Sequence, residues 1–342
     1  MSRWRRKRLR RLRKPLQFLF VSLALVSALT SARAQGQIKI GIGYGLAFLP
    51  VYICEDMKLI EKRGREAHLD VKAEFQRFMS ASEAQDALAS GAINIAPFGT
   101  APLLAAWQKG QGKPEQVFAV SGMTSLPLVL LSNQPDVQSI ADLKPADQIA
   151  MPTLTSPQMY LLELQSERAF SRYDRLRSRV VALSHADAIN NLVEGTGPVK
   201  AYFASPPYTE LALRDAKVHA VLSSSDVMSG KSSFLILGAT KAYIDAAPQI
   251  PGVIEKAMDD AARIIHDDPR RAAQIYLTHE PSDVMNGAAV EAVIREIKDE
   301  FGSTVYGVKT MADFMGRHGE LKSVPRSWKD VVTPALVNSP SS

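Results

Sequence analysis

The stretch QIKIGIGYGLAFLP, residues 37–50, decides what kind of α/β protein this is. A short apolar run meets glycines at alternate positions, Gly41, Gly43 and Gly45, as a nucleotide-binding turn would. A dinucleotide turn sets its third glycine three residues after the second, runs straight into a helix, and is followed by an acidic residue in the next unit. Here Leu46 stands in the place of that glycine, and Phe48-Leu49-Pro50 separates the turn from the helix. The next strand-like run, LDVKAEF, begins with Asp70 and carries Glu74 inside it, so the acidic residue is missing from its end. The nucleotide reading is rejected. The glycines then either let the backbone approach a ligand or form a tight turn.

The end of this stretch recurs. IGYGLAFL-Pro50, APFGTA-Pro102, AMPTLTS-Pro157 and AYFAS-Pro206 each close a strand-like run with a few small or polar residues and then a proline. Proline suits the first helical turn, where its missing N–H has no partner to lose. Thr100, Ser156 and Ser205 stand at or near the N-cap, where a hydroxyl can accept from the backbone. Four strand C-termini thus open into four helix N-termini. In open α/β sheets ligands sit beyond the strand C-termini, and helix N-termini favour anions. Ser156 is expected to cap its helix, which leaves the hydroxyl of Thr155 free for a ligand, with Thr100 as a counterpart.

Around these junctions, short β-rich runs alternate with helical patterns in two series. The first reads QIKIGI, LDVKAEF, INIAPF and QVFAV with helices at 50–63, 82–90 and 100–110. The second reads QIAMP, RVVALS, VKAYFA and VHAVLS with helices at 157–170, 185–194 and 207–214. Such alternation predicts βαβ units on mostly parallel sheets. LPLVLLS (126–132) and SFLILGA (233–239) flank the second series. Beyond Ala247 the pattern is helical, at 249–267, 269–278, 286–301 and 310–318. A faint echo between 87–102 and 191–207 supports two units of similar build.

Residues 1–34 are read as a leader. Residues 1–14 hold nine Lys/Arg and no acid, an apolar run follows, and Ala32-x-Ala34 supplies a small-residue cleavage site. These are the parts of a secretory signal peptide, and the apolar run is short for a membrane span of ~20 residues. The full chain carries 41 Lys+Arg and 35 Asp+Glu, and ten of the basic residues lie in the leader. The mature chain is therefore acidic, and the basic balance says nothing of nucleic acid. Cys54 is the single cysteine, which excludes an internal disulfide. It is read as a buried small hydrophobe.

Catalytic constellations are missing. The six histidines show no H-E-x-x-H spacing, and there is no G-x-S-x-G and no P-loop. SHAD (184–187) suggests a triad, but sequence neighbours do not make one, and Ser184 reads better as the cap of helix 185–194. No Arg or Lys lies inside the four junctions; Lys200 and Lys231 are nearest.

Taken in order, FLPVYICEDMKLIEKRG, ALASGAINIAPFGTAPLLAAWQKG, SIADLKPADQIAMPTLTSPQMYLL, KAYFASPPYTELAL and MADFMGRHGELKSVPRSWKDVV give the chain its family resemblance. It resembles the substrate-binding proteins of ABC importers, in the branch that handles nitrate, taurine and alkanesulfonates, with thiamine-precursor binders as relatives. The likeness covers nearly all of the mature chain, with DLKPADQ departing from the usual D-L-K-G-K. The resemblance implies a two-lobed type II periplasmic binding protein of the α/β class, each lobe a mostly parallel sheet flanked by helices, with two crossover strands. Lobe one would be 36–127 plus 235–342 and lobe two 128–234, with the two flanking runs as paired crossover strands. Ligand contacts carried over residue by residue fall on Leu46, Ala47 and Phe48; Gly99 and Thr100; Thr153, Thr155 and Ser156; and Ser205 with Pro206. Tyr44, Phe98, Phe203 and Tyr208 would add an aromatic wall.

The function so implied is a periplasmic binder that captures a small organic anion of sulfonate, taurine or nitrate type and passes it to a permease and ATPase. It would be a monomer cut after Ala34, with no cofactor, no metal and no nucleic acid. The runner-up ligand is a thiamine-precursor pyrimidine or an aromatic carboxylate. A pyrimidine-synthesis enzyme on the same fold is the rival from another class.

Overall fold

The computed structural model describes residues 36–282 and 285–337. The leader expected over 1–34 lies outside the described residues. Ten strands form two sheets. They are β1 (Gln37–Ile42), β2 (Lys72–Arg77), β3 (Ile95–Phe98), β4 (Val117–Thr124), β5 (Val129–Ser132), β6 (Gln148–Met151), β7 (Val180–Ala182), β8 (Val199–Ala204), β9 (His219–Ser223) and β10 (Leu235–Thr240). The first sheet has the order β2-β1-β3-β10-β4 and the second β7-β6-β8-β5-β9. In each, four strands share one direction and one runs against them, β10 in the first sheet and β5 in the second. Strands covered by helices on both faces read as apolar runs rather than as an alternation, and β3 is buried at all four positions.

The chain passes from the first sheet to the second between β4 and β5, and returns between β9 and β10. One detail of the expected crossover is corrected: β5 and β10 do not pair with each other. Each is the reversed strand of its own sheet, with its backbone groups taken up by two neighbours there. The connections beside them pair instead. The Phe234 N–H donates to the Thr124 carbonyl and the Ser224 N–H to the Leu128 carbonyl, both at 2.8 Å.

Helices Pro157–Phe170 and His185–Glu194, and strand β8, coincide with the expected segments. The helix expected over 50–63 is two, Leu49–Met57 and Leu59–Glu66, broken where Lys58 takes φ 51°. Cys54 is fully buried in the first of them, and its thiol donates to the Ala257 carbonyl. Helices Ile250–Asp267, Pro269–His279 and Gly287–Ile297 pack on the first sheet's side of the molecule. A bidentate ion pair from Arg63 to the buried Asp260 ties Leu59–Glu66 to Ile250–Asp267. One apolar core runs beneath both sheets, from Phe98, Leu103 and Ile236 to Leu130, Ile149 and Phe203. Among the described residues no helix is long and apolar enough to cross a membrane.

Candidate functional site

The C-terminal ends of β1, β2, β3, β6, β7 and β8 all lead into helices, and together they border one cleft of about 1040 Å³ between the sheets. Sequence reasoning found four of these junctions by their proline. The other two, Phe78-Met79-Ser80 after β2 and Leu183-Ser184 after β7, carry none. Both have a serine cap instead: Ser80 Oγ accepts from the Glu83 N–H and Ser184 Oγ from the Asp187 N–H. The Ser80-x-x-Glu83 spacing was the available signal for the first.

Tyr44, Ala47, Phe48, Gly99, Thr153, Thr155, Ser156, Ser205 and Pro206 line the cleft, as do Phe98 and Tyr208. Three expected residues do not. Leu46 and Phe203 are fully buried in the core. The Thr100 hydroxyl is turned away and donates to the Ser233 carbonyl at 3.0 Å. Phe203 misses because β8 is covered on both faces; its neighbour Tyr202 points to the other side and meets His185 instead. Phe78, Met79, Gln85, Tyr160 and His185 line the cleft without having been expected there. Lys200 and Lys231 do not reach it. Lys200 Nζ donates to the Gly195 carbonyl at 2.6 Å, and Lys231 Nζ lies 3.0 Å from Glu300.

Gly43 and Gly45 of the opening stretch now have their explanation in the tight turn, while Gly41 lies in β1, where a Cβ would stand 2.7 Å from the Ile93 side chain. A Cβ on Gly43 would sit 2.7 Å from the Phe48 ring, and Gly45 has φ +101°. The Gly45 N–H is not offered to a ligand: it donates to Glu280 Oε1 at 2.6 Å. The Tyr52 hydroxyl lies 2.6 Å from the same oxygen, and the Tyr276 hydroxyl donates to Glu280 Oε2 at 3.3 Å. Behind them Arg77 donates to His279 Nδ1 at 2.7 Å and stacks over the Tyr44 ring, while His279 Nε2 meets Asp56 at 2.8 Å. Burial, and next the Glu280 carboxylate, push the Tyr52 and Tyr276 hydroxyls far above their usual range, so both stay protonated donors.

Across the cleft, the loop before helix Pro157–Phe170 has no such bracing. Thr153, Leu154 and Thr155 are exposed. Ser156 holds the N-cap position, but its hydroxyl makes no capping bond and donates to the Met151 sulfur at 3.8 Å. The expected hydroxyl cap is therefore corrected. Helix Thr100–Lys109 is capped by position at Gly99, also with no side-chain bond. Ser205 serves its helix through its backbone carbonyl, which accepts from the Tyr208 N–H at 2.8 Å. Pro102 and Pro157 carry no N–H, and the Met159 N–H donates to the Ser156 carbonyl at 3.0 Å, so the Thr100 and Ala101 N–H groups of one helix and the Gln158 N–H of the other are those without an intrahelical or side-chain partner.

These two helix ends meet. A Cβ on Gly99 would stand 2.8 Å from Cγ of Pro157, so only glycine lets the N-terminus from the first sheet touch the one from the second. Beside them His185 stacks on Tyr208 with ring centroids 4.0 Å apart, and its Nδ1 is hydrogen-bonded to the Tyr202 hydroxyl. Burial lowers the imidazole pKa to about 4 and keeps the ring neutral. Asp187 of the same SHAD motif serves Ser184 and not His185. Tyr44, Met79 and Leu154 are 49, 79 and 50 % exposed and stand on the cleft's rim or beside its lining residues, so the mouth is apolar on both sides.

Two mixed sheets flanked by helices, crossed twice by the chain and open to a cleft at their strand C-termini, are the architecture of the periplasmic binding proteins. Solved structures agree. The alkanesulfonate-binding protein SsuA from Xanthomonas axonopodis pv. citri, bound to MOPS, superposes with TM-score 0.65 at 16% identity, over 88% of this chain and 97% of that one. The periplasmic aliphatic sulphonate binding protein SsuA from Escherichia coli gives 0.65 at 14%, over 88% and 98%. The periplasmic nitrate-binding protein NrtA from Synechocystis PCC 6803 gives 0.62 at 15%, over 87% and 86%. No curated protein matches in sequence. Residues 34–277 match the NMT1-like family, and the chain belongs to it.

Proposed function

We propose that this chain is the solute-binding component of an ABC importer, which captures a small organic anion in the cleft and passes it to a permease and its ATPase. The observation that carries this reading is the meeting of two uncapped helix N-termini, from opposite sides of the cleft, at Gly99 and Pro157. Each such end carries roughly half a positive charge and free N–H donors, so together they suit an anionic group without a dedicated cation. The aromatic wall of Tyr44, Phe48, Phe78 and Tyr208 favours an organic body over a bare inorganic ion, which keeps an aromatic carboxylate as the second reading. The sulfonate- and nitrate-binding proteins of the same fold support the importer role.

Lobe one is then 36–127 with 235–342 and lobe two 128–234, hinged at 125–128 and 224–234. The lobes close on the solute and expel water. No chemistry follows capture, because the cleft's histidine contacts tyrosines and not a carboxylate or nucleophile. The leader ends at Ala34 and the mature monomer works in the periplasm. Mass spectrometry of solute extracted from the purified protein tests the reading. An organic anion is expected, and scattering should show a smaller radius of gyration when it is added back. A cation or a neutral sugar would contradict it.

A further inference from the structure

We propose that the cleft has a second arm, a trench in lobe one that takes the apolar tail of the bound anion. This rests on the reading above for the acidic head and extends it to the rest of the ligand. The cavity does not stop at the paired helix ends. It continues between helices Ala81–Ala89 and Thr100–Lys109, which lie side by side over β3 yet hardly touch each other. Ala81, Leu88 and Ala89, with Ser82 and Gln85 between them, form one wall and Pro102, Ala105 and Ala106 the other; the Gln85 amide is held by the Pro97 carbonyl at 3.2 Å. Neighbouring helices normally pack with axes about 8–10 Å apart; here small side chains on both walls leave an open slot.

The floor is apolar and built. The Phe98 ring lies across Gly238, where a Cβ would stand 2.9 Å from the ring and 3.0 Å from Val117. At about 1.5 Å per residue, the Thr100–Lys109 wall runs on the order of 14 Å from the paired helix ends. A nitrate-sized ion placed at those ends leaves this length empty, whereas an unbranched chain fills it. Lys109, Lys113 and Glu115 border the cavity beyond that stretch and Asp86 borders it from within helix Ala81–Ala89, and none of the four has an ion-pair partner among the described residues. The mixture of signs marks a wetted outlet and not a second anion site. Because every wall and floor residue belongs to lobe one, the trench is the same whether the lobes are open or closed. The class of solute is an amphiphilic organic anion, head at the helix ends and tail along Ala105.

Calorimetry with two probe series, n-alkanoates and n-alkanols of four to eight carbons, tests this on the mature protein. In both series affinity should rise about fourfold for each added methylene that the trench covers. Ala105→Trp, which fills the slot from an exposed position, should flatten both series, and so should Ala81→Trp on the opposite wall. Ala105→Ser should keep the rise. Thermal melts identify folded variants. The trench is overturned if neither series gains with length, or if the gain persists in both tryptophan variants. The offset between acid and alcohol of equal length reports the head alone. Its absence, with the length dependence intact, would sink the anion reading and leave the trench standing.

Discussion

The two loops that face each other across the cleft are built on opposite plans. The loop at 43–45 is locked from behind: its glycine N–H, its neighbouring tyrosines and Arg77 all converge on Glu280 and His279 at the end of helix Pro269–His279. The loop at 153–156 has exposed threonines and a leucine, and its serine hydroxyl meets only the Met151 sulfur. A ligand gains little from hydrogen bonds that are already made. The braced loop therefore shapes the pocket with Tyr44 and Phe48, while the unbraced one has hydroxyls and N–H groups to give. The contrast teaches that polar groups near a site are not all offered to it, and that the backbone partner of each donor must be traced before a role is assigned.

Removing the brace should have the largest effect. Glu280→Ala strips the acceptor from Gly45 N–H and two tyrosines, and bonds to a charged group are worth about 1.5–3 kcal/mol each. Because the three are coupled, a loss of about 3–4 kcal/mol in unfolding free energy is expected in denaturant titrations. Unchanged stability would break the comparison at its root.

The second sheet's side of the cleft has a locked group of its own, His185, and acidity tests it. Burial lowers its pKa to about 4, against about 6.5 in the unfolded chain. Between those values the unfolded state binds a proton that the native state does not. Its contribution is therefore complete above about pH 6.5 and lost as the pH falls toward about 4, up to about 3 kcal/mol. Urea melts across this window should show the decline, and His185→Gln should remove that part of the slope.

Thr155→Val keeps the shape and deletes the hydroxyl. It should weaken solute binding by about 1.5–3 kcal/mol, roughly ten- to a hundredfold, with the melting temperature unmoved. The smallest effect belongs to Ser156→Ala. Without a capping bond to lose, it should cost well under the ~1 kcal/mol typical of an N-cap serine. A loss of a full cap's worth would show that the hydroxyl does cap the helix in solution.

Much of this was legible in the chain. Helices 157–170 and 185–194 and strand 199–204 are bounded by strong signals, Ser156-Pro157, Ser184 and the turns around Gly195 and Pro206, so period and punctuation agree. The break at Lys58 was not, because a left-handed lysine leaves no compositional mark. The direction of the Thr100 hydroxyl was not either, since its acceptor at Ser233 is 133 residues away. Phe203 was misplaced for a related reason: where both faces of a sheet are covered, alternation does not say which side meets the cleft; Leu46 opens the single turn Leu46–Phe48, too short for any periodicity to say which of its residues faces the core. Arg77 shows the same limit. It ends a strand beside the site, yet its charge is spent on Tyr52 and His279, partners that only the fold brings near.

Amide hydrogen exchange with and without the solute recovered from the protein tests the central claim most directly. If the anion sits where the two helix ends meet, the N–H groups of Thr100 and Ala101 beside the first sheet and of Gln158 beside the second should slow together, while that of Gly45, already bonded to Glu280, should change little. Protection confined to one of the two helix ends, or centred on Gly45, would contradict the account.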